Sequence, residues 1–295
     1  MLPLPDSIPA ADLDVLLARA LTEDIGPGDV TTLATIPADC RATAHFLAKE
    51  DGVLAGLAVA ERAFSAVDPS LAVTWAAADG DLVTHGTVFG AVEGAARSIL
   101  MIERLALNLM QRMSGIATAA HRMAEAARPA TILDTRKTVP GLRLLDKWAV
   151  RLGGAQNHRT GLYDMVLIKD NHIAAAGGIE AAIQATHAYL DAQARTLPIE
   201  IETRTLDEVE DVLRVGRVDR VLLDNMARPT DAGLDTTMLA EAIRRIDGRF
   251  ATEASGNVTL DTVTAIAATG VDFISSGALT HSVCALDLSL KIALA

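Results

Sequence analysis

Short apolar runs recur through the second half of the chain, and each is followed by a stretch with helical periodicity. Segments such as 206–213 and 237–243 show apolar residues at helical spacing. Strands that alternate with helices indicate βαβ units and a parallel sheet. Six units are too few for an eight-fold barrel, so the pattern favours an open α/β barrel of six to seven strands, with a doubly wound sheet as the alternative. The six runs are residues 131–135, 165–169, 199–202, 220–224, 250–254 and 271–275.

The first part of the chain has a different pattern, which predicts an α+β domain over 1–114. The barrel domain is then expected over 115–284, and the apolar segment 285–295 is expected to pack back on the first domain. The elements predicted in the first domain are a helix over 13–22, a loop over 24–32, strands over 46–53, 71–76 and 88–92, and a long helix over 98–113.

Composition and charge exclude several classes of partner. The formal net charge is −12 and aromatic residues are 3% of the chain, so neither a nucleic acid nor an anionic membrane is expected to bind. Two cysteines, Cys40 and Cys284, cannot form a disulfide framework, and they predict two buried, reduced thiols. No basic leader followed by an apolar stretch opens the sequence, and no run approaches the ~20 apolar residues of a spanning helix. These features together predict a cytoplasmic protein.

Positive charge is concentrated between Arg136 and His172, where seven Lys or Arg residues stand against three acids. Such a concentration in an acidic chain predicts a site for a small, highly charged anion. Arg136, Arg159 and Lys169 are the main candidates, because guanidinium and ammonium groups bind carboxylates and phosphates. His158 is placed to donate a further hydrogen bond.

A helix is predicted between Pro140-Gly141 and Gly153-Gly154, and it carries three of these cations. We expect Arg151 to face solvent, whereas Arg143 and Lys147 are left open between a supporting role and a solvated face. The role of His172 is also open, with bracing of the Lys169 strand end as one interpretation.

Polar residues follow each predicted strand, and in barrels the chemistry lies at these carboxyl ends. Glu202 and Asp224 predict a Mg²⁺ site or contacts to sugar hydroxyls; local ion pairs are the competing explanation. Two Ser-Gly turns predict a phosphate site, since small residues let backbone N–H groups approach. The strand-end candidates are Thr135, Arg136, Lys137, Lys169, Glu202, Asp224, Ser255, Gly256, Asn257, Ser276, Gly277 and Ala278.

Three blocks of the basic cluster resemble the signature sequences of the quinolinate phosphoribosyltransferase family (nicotinate-nucleotide pyrophosphorylase, carboxylating). They are residues 134–143, 153–159 and 169–173. Ala155 and Ser276 depart from the family pattern without a large change in size. Similar blocks continue in the same order over nearly the whole chain, at 23–32, 103–108, 114–118, 223–225, 254–257 and 270–280.

The resemblance implies an N-terminal α/β sandwich and a C-terminal open α/β barrel. It also implies phosphoribosyl transfer from 5-phosphoribosyl 1-pyrophosphate (PRPP) to quinolinate with decarboxylation, in NAD biosynthesis. Lys137 would contact PRPP, the Ser255 and Ser276 turns its 5-phosphate, and Glu202 and Asp224 the ribose hydroxyls and Mg²⁺, directly or through PRPP. The enzyme would be a homodimer in which Arg104 crosses to the other subunit. The residues implied for the quinolinate carboxylates are Arg104, Arg136, His158, Arg159 and Lys169.

Other functions remain open from the sequence alone. A barrel lyase could use Lys169 as a Schiff base, and an anion-binding relative could have lost turnover. ModD-type proteins share part of the architecture, but the intact Lys169-Asp-Asn-His172 block favours the quinolinate enzyme. A type I phosphoribosyltransferase is disfavoured, since the segment after Val221 offers one acid where that class has a pair.

Overall fold

The computed structural model describes residues 1–231 and 233–294, and its contacts divide the chain into two units. The first unit contains Met1–His121, Val139–Gly154 and the chain from Ser282 onward. The second contains Arg122–Thr138 and Ala155–His281. The contacts thus group residues 115–121 and 139–154 with the first unit, whereas the sequence-based domain division assigns them to the barrel.

Helices and strands alternate along most of the described chain. The helices are α1 (Ala10–Ile25), α2 (Val30–Thr35), α3 (Leu57–Val67), α4 (Ala96–Ala126), α5 (Arg143–Leu152), α6 (Asp170–Ala176), α7 (Ile179–Ala192), α8 (Leu206–Val215), α9 (Thr237–Ile246), α10 (Val263–Ala267) and α11 (Ala278–His281). The strands are β1 (Arg41–Ala48), β2 (Gly52–Val53), β3 (Ala72–Trp75), β4 (Leu82–Val83), β5 (Val88–Ala95), β6 (Thr131–Leu133), β7 (Val166–Ile168), β8 (Ile199–Thr203), β9 (Arg220–Asp224), β10 (Arg228–Thr230), β11 (Gly233–Asp235), β12 (Ala251–Ser255), β13 (Phe273–Ser275) and β14 (Leu288–Leu294).

The first unit is built on an antiparallel sheet of order β14-β1-β5-β3. Burial alternates along β1, as expected for a strand with one face on the core. Phe46 of β1 packs against Phe64, Trp75 and Phe89, with ring centroids 4.8 to 5.9 Å apart. β14 pairs antiparallel with β1 through Leu288–Leu294; residue 295 of the expected returning segment lies outside the described residues.

Several predicted boundaries in the first unit were wrong. The expected strand over 46–53 is two strands, β1 and β2, and α3 was not foreseen, because its alanine-rich start has no clear periodicity. The predicted loop over 24–32 runs into α2, whose first turn is capped by Asp29 through the Thr32 N–H. The helix expected over 98–113 continues to Ala126.

The thiol burial prediction was also wrong, since Cys40 is only partly buried and Cys284 is exposed. In α5 the exposure of Arg151 matches the prediction, but Lys147 is only 4% exposed, so it is not part of a solvated stripe. The described part of the chain contains no helix with the length and apolar character needed to cross a membrane.

The second unit contains a six-stranded parallel sheet of order β6-β13-β12-β9-β8-β7. The first strand in the sequence therefore pairs with the last, which a doubly wound sheet does not do, and the barrel is open between β6 and β7. At this opening Leu133 forms an isolated parallel bridge with Gln156. Each of the six predicted strands overlaps one strand of the sheet, so the predicted open α/β barrel is confirmed.

Burial in the barrel explains why its strands carry charges. All five residues of β8 are buried, including Glu200 and Glu202 two positions apart. Side chains alternate along a strand, so these two glutamates lie on the same face. Because buried carboxylates need partners, charged groups on neighbouring strands must satisfy them, and these partners form the site described next.

Candidate active site

Buried Asp134, directly after β6, holds the loop that reaches the barrel rim. Its carboxylate accepts hydrogen bonds from Asn157 Nδ2 (2.8 Å) and from the backbone N–H of His158 (2.9 Å). Asp134 is fully buried, so both bonds are shielded from water. The loop that carries His158 and Arg159 is therefore fixed to the end of the first barrel strand.

Arg136 and Arg159 bring two positive charges close together on one side of the rim. Burial, and after it the charge of Arg136, lowers the pKa of Arg159. Arg159 Nη1 donates to the backbone oxygen of Met165 at 3.3 Å. Arg136 Nε is buried, and no described residue accepts a hydrogen bond from it. Two neighbouring guanidiniums with a buried, unused N–H are suited to a carboxylate ligand, which would relieve both their repulsion and the missing bond.

Lys169 follows β7 and is exposed at its carboxyl end. His172 fixes the backbone at Lys169, because the His172 Nδ1 atom accepts a hydrogen bond from the Lys169 backbone N–H at 2.9 Å. That bond braces the start of α6, which agrees with the bracing interpretation of His172. Charge interactions also connect Lys169 with Glu200 and Glu202.

Both ring nitrogens of His158 are engaged within the protein. Nδ1 accepts the Arg159 backbone N–H at 2.7 Å, and Nε2 lies 2.9 Å from Glu200 Oε2. Because Nδ1 accepts a hydrogen bond, the proton must be on Nε2 and points to Glu200. Direct donation by His158 to a substrate stays a prediction; in the structure the ring contacts Glu200 and the backbone of Arg159.

Glu202 and Asp224 form the acidic side of the rim, and Arg204 lies between them. Its Nη2 is 2.9 Å from Glu202 Oε1 and its Nε is 3.2 Å from Asp224 Oδ2. Its Nη1 is 2.7 Å from Asp170 Oδ2. Burial, and then the charge of Asp224, raises the pKa of Glu202, while Arg204 opposes this shift. Local ion pairs at these carboxylates are therefore real, but the cation is Arg204, not a member of the basic cluster.

The oxygen-rich acidic side fits a hard cation by its chemistry. Carboxylates of Glu202 and Asp224, with Asp170 beside them, are the donors that Mg²⁺ prefers. The same carboxylates already hold the side chain of Arg204, which is half exposed and therefore able to move into solvent. The donor set thus fits Mg²⁺ on the condition that the cation and Arg204 share these acids.

The two Ser-Gly turns differ in what their hydroxyls contact. Ser255 Oγ donates to Asp224 Oδ1 at 2.6 Å, and so supports the acidic side. Ser276 is buried, its N–H donates to the Leu133 backbone oxygen (3.0 Å), and its hydroxyl donates to the Val258 backbone oxygen (3.3 Å). These contacts make Ser276 a support of the turn, so a phosphate would have to use other groups there.

Glycines at both turns allow close approach of neighbouring groups. A Cβ at Gly256 would lie 2.1 Å from Asn225 Oδ1, and its φ of +87° also favours glycine. A Cβ at Gly277 would lie 2.7 Å from the Lys137 side chain. Asn257 donates from Nδ2 to the Ala227 backbone oxygen at 3.2 Å. Ala278 begins α11, beside the Gly277 turn.

Lys137 is exposed and reaches the last turn of the barrel. Its backbone N–H donates to Thr135 Oγ1 (3.0 Å), and its backbone oxygen accepts from Thr280 Oγ1 (2.9 Å). The first and last strand ends are thereby joined next to Gly277. Arg104 belongs to the first unit and is exposed on α4.

Sequence reasoning missed two cations and one acid of the site. Arg204 comes directly after β8, and its place next to the Ile199–Thr203 strand end was the available signal. Glu253 is buried and Arg220 is partly buried on neighbouring strands, where neither residue type is expected without a partner. Their strands were predicted, so the alternation along each strand could have shown that both side chains point inward.

The open α/β barrel and its charged rim are those of a phosphoribosyltransferase, as models of one such family match both parts of the chain. The quinolinate phosphoribosyl transferase N-terminal domain matches residues 29–114, and the C-terminal domain of the same family matches residues 116–291. The chain therefore belongs to the quinolinate phosphoribosyltransferase family.

Similar proteins span almost the whole chain. The chloroplastic nicotinate-nucleotide pyrophosphorylase [carboxylating] of Arabidopsis thaliana is 57% identical over 98% of this chain and 85% of its own length. A probable nicotinate-nucleotide pyrophosphorylase [carboxylating] of Synechocystis is 46% identical over 95% of this chain and 92% of its own. The crystal structure of NadC from Streptococcus pyogenes superposes with a TM-score of 0.90 at 37% identity, covering 98% of this chain and 99% of that one.

Proposed function

We infer that this chain joins quinolinate to PRPP and releases nicotinate mononucleotide, CO₂ and pyrophosphate, as an enzyme of NAD biosynthesis. Membership of the family carries this conclusion. The observation in the structure that supports it most is the Arg136–Arg159 pair with its buried, unused N–H, because the substrate is a dicarboxylate.

We propose that Arg136, Arg159 and Lys169 bind the two quinolinate carboxylates. Their charges would hold the pyridine ring so that its nitrogen faces C1 of the ribose. Arg104 of a second subunit would complete this group, which requires a homodimer. The exposure of Arg104 on α4 agrees with such a role.

We propose that the acidic side and the glycine turns bind PRPP. Glu202 and Asp224 would contact the ribose hydroxyls and hold Mg²⁺, and Lys137 would contact the pyrophosphate. Mg²⁺, when bound, would neutralise negative charge on the departing pyrophosphate. For the 5-phosphate, the Gly256-Asn257 and Gly277-Ala278 turns offer small residues and backbone groups, whereas the hydroxyls of Ser255 and Ser276 are used elsewhere.

The chemistry requires positioning and charge, and no general base in the first step. The ring nitrogen attacks C1 as the bond to pyrophosphate breaks, so the nitrogen becomes positively charged. The bond from the ring to the adjacent carboxylate then breaks, CO₂ leaves, and the positive nitrogen stabilises the electron pair left on carbon. A proton from solvent replaces the carboxylate. Electrostatic preorganisation by the three cations accounts for the acceleration.

The test is an assay of the purified protein with quinolinate, PRPP and Mg²⁺. We expect nicotinate mononucleotide and CO₂ in equal amounts, with the CO₂ derived from the carboxylate next to the ring nitrogen and traced by isotopic label. Nicotinate in place of quinolinate is the matched control, since it lacks that carboxylate. Absence of the mononucleotide, or a product that retains the label, would overturn the assignment.

We also propose a cytoplasmic location, as expected from the sequence. Among relatives the location varies, since the Arabidopsis protein is named chloroplastic and a Nicotiana glauca protein mitochondrial. Fractionation of the source cells with an antibody to this chain would decide between these compartments.

A further inference from the structure

Below the rim, the barrel interior contains a cluster of four ionisable side chains, and the proposed reaction does not use three of them, Glu200, Arg220 and Glu253, directly. Glu200 of β8 is fully buried and Glu253 of β12 is 1% exposed. Arg220 Nη1 lies 2.7 Å from Glu253 Oε2, and its guanidinium stacks 4.0 Å above the Phe273 ring. His158 completes the cluster, with Nε2 2.9 Å from Glu200 and 3.6 Å from Glu253.

The carboxyl groups of Glu200 and Glu253 each have an atom within 4.8 Å of the other, so they repel each other in this buried site when both are ionised. The Arg159 N–H bond to Nδ1 leaves His158 Nε2 facing Glu200, and Arg220 supplies positive charge beside Glu253. Among the described residues, no N–H group or hydroxyl donates to buried Glu200 Oε1. A proton on Glu253 supplies a donor to Glu200, with which Glu253 shares a side-chain hydrogen bond. Burial, and then the charge of Glu200, raises the pKa of Glu253 to about 7, which agrees with a neutral carboxyl.

The cluster is connected to the proposed quinolinate site through one residue. Glu200 accepts from His158 Nε2, and the other nitrogen of the same ring accepts the backbone N–H of Arg159. The His158 backbone is in turn bound to buried Asp134. The orientation of the His158 ring therefore fixes the backbone between His158 and Arg159, and the position of this backbone determines where the Arg159 side chain can reach.

We propose that Glu200 and Glu253 are positioning residues: they fix the His158 ring and thereby hold Arg159 in place to bind a substrate carboxylate. This inference rests on the proposed function for the identity of the substrate. The positioning itself, in which Glu200 and Glu253 act through His158 on Arg159, does not depend on turnover and can be tested by binding alone. It assigns a role in substrate binding to buried groups that never contact the substrate.

A positioning role and a simple packing role predict different kinetics. Loss of positioning should affect quinolinate binding alone, whereas loss of packing should affect both substrates. Glu200→Gln replaces the charged acceptor of the His158 N–H with a weaker neutral one, and Glu253→Ala removes the whole side chain beside the ring. Both changes weaken the contacts that hold His158 and Arg159. We expect the quinolinate KM to rise by about tenfold or more, the cost of a weakened charge-assisted contact, while the PRPP KM stays unchanged. Glu253→Gln keeps a neutral donor next to Glu200, so it should restore most of the quinolinate affinity lost in Glu253→Ala.

Thr252→Val is the matched control. Thr252 precedes Glu253 on β12, is equally buried, and binds Asp272 from its N–H and its hydroxyl, both at 2.8 Å. Removal of this hydroxyl disturbs the same strand without touching His158. We expect a lower thermal unfolding temperature with an unchanged quinolinate KM.

Quinolinate binding by titration calorimetry accompanies the kinetics, because it needs no turnover. Wild-type protein that binds quinolinate but forms no nicotinate mononucleotide would overturn the proposed function and leave the positioning test intact. Unchanged quinolinate affinity in folded Glu200→Gln and Glu253→Ala would overturn the positioning role alone. If neither of these variants folds, Glu253→Gln remains as the test. A folded Glu253→Gln protein that has lost its quinolinate affinity would also overturn the positioning role.

The cluster also meets the distance requirement for a metal site, since one atom each of His158, Glu200 and Glu253 lie within 4.8 Å of one another. Arg220 already supplies a positive charge there, so the positioning role requires no metal. Stoichiometric metal in the purified protein, lost in Glu253→Gln, would overturn it. A metal-free protein with the expected KM pattern supports it.

Discussion

The basic and acidic sides of the barrel rim differ in how their charges are balanced before any substrate binds. On the basic side, the charge of Arg136 acts on Arg159, and a buried N–H of Arg136 has no acceptor among the described residues. On the acidic side, Arg204 bridges Asp170, Glu202 and Asp224. The basic side therefore carries positive charge and an unused N–H, whereas the acidic side already contains its own cation.

The largest effect is expected on the basic side. Arg136→Ala removes a cation that no described acid neutralises, so the proposed carboxylate contact is lost outright. Loss of such a contact costs about 2–5 kcal/mol, which is roughly a 30-fold to several-thousand-fold fall in kcat/KM for quinolinate. Steady-state kinetics would measure it. Arg151→Ala, at an exposed position of α5, should behave as wild type; a similar loss in both variants would argue for a general charge effect.

A second effect is expected on stability, from the buried carboxyl group of Glu253 beneath the barrel rim. The pKa of Glu253 is raised to about 7, so the folded state holds its proton where the unfolded chain releases it near 4.5. The wild type should lose stability as the pH rises from about 4.5 through 7, by up to about 3 kcal/mol from this group. Urea unfolding at pH 5 and pH 8 should show that Glu253→Gln is relatively more stable at pH 8. Parallel pH dependences for the two proteins would contradict the neutral carboxyl.

The basic side is also expected to be incomplete within one chain. Inactive Arg104→Ala subunits mixed with inactive Lys169→Ala subunits should form hybrid dimers with one complete site. Random exchange of subunits would make about half of the dimers hybrids. Each hybrid has one complete site instead of two, so about a quarter of the wild-type activity should return. The measurement is turnover after mixing, with native mass spectrometry to count hybrids. Proven hybrids without activity would count against a site shared by two subunits.

The smallest effect is expected on the acidic side. Arg204→Ala removes the internal cation from Glu202 and Asp224, so Mn²⁺, used as a probe for Mg²⁺, should bind about threefold to fivefold more tightly. The change is modest because half-exposed ion pairs contribute about 1 kcal/mol or less. Electron paramagnetic resonance of free Mn²⁺ measures this without turnover. Arg214→Ala, which removes an exposed arginine paired with Glu180 and Asp211, is the control and should change nothing.

The barrel could be predicted from the sequence because its strands are short apolar runs that end in polar residues. All six runs overlap strands of the parallel sheet, and Arg220–Asp224 was predicted to the residue. In the first unit β1 and β2 were merged, since the turn between them, Lys49–Asp51, interrupts an apolar pattern that resumes at once. The local pattern of apolar and polar residues therefore predicts whether a segment is a helix or a strand more reliably than it predicts where that segment begins and ends.

The candidate site was predicted as a set of residues but not as a network. Strand-end position is local information, and it identified Glu202 and Asp224 as members of one rim. The partners of these acids depend on which strands become neighbours, which the sequence does not contain. Arg204 is the clearest case, because its three acids come from three different strand ends. His158 is another, since the acid that engages its ring lies on β8.

The pairing of β14 with β1 has a consequence for how the chain is made. Phe46 of β1 lies opposite Leu290, so the outer strand of the first sheet is synthesised after the entire barrel sequence. Until then the nascent chain exposes the backbone donors and acceptors of β1 along an open edge, where other strands can add. The first sheet can therefore be completed only after the barrel sequence has been synthesised, and a change that removes Leu288–Leu294 would act on the N-terminal sheet.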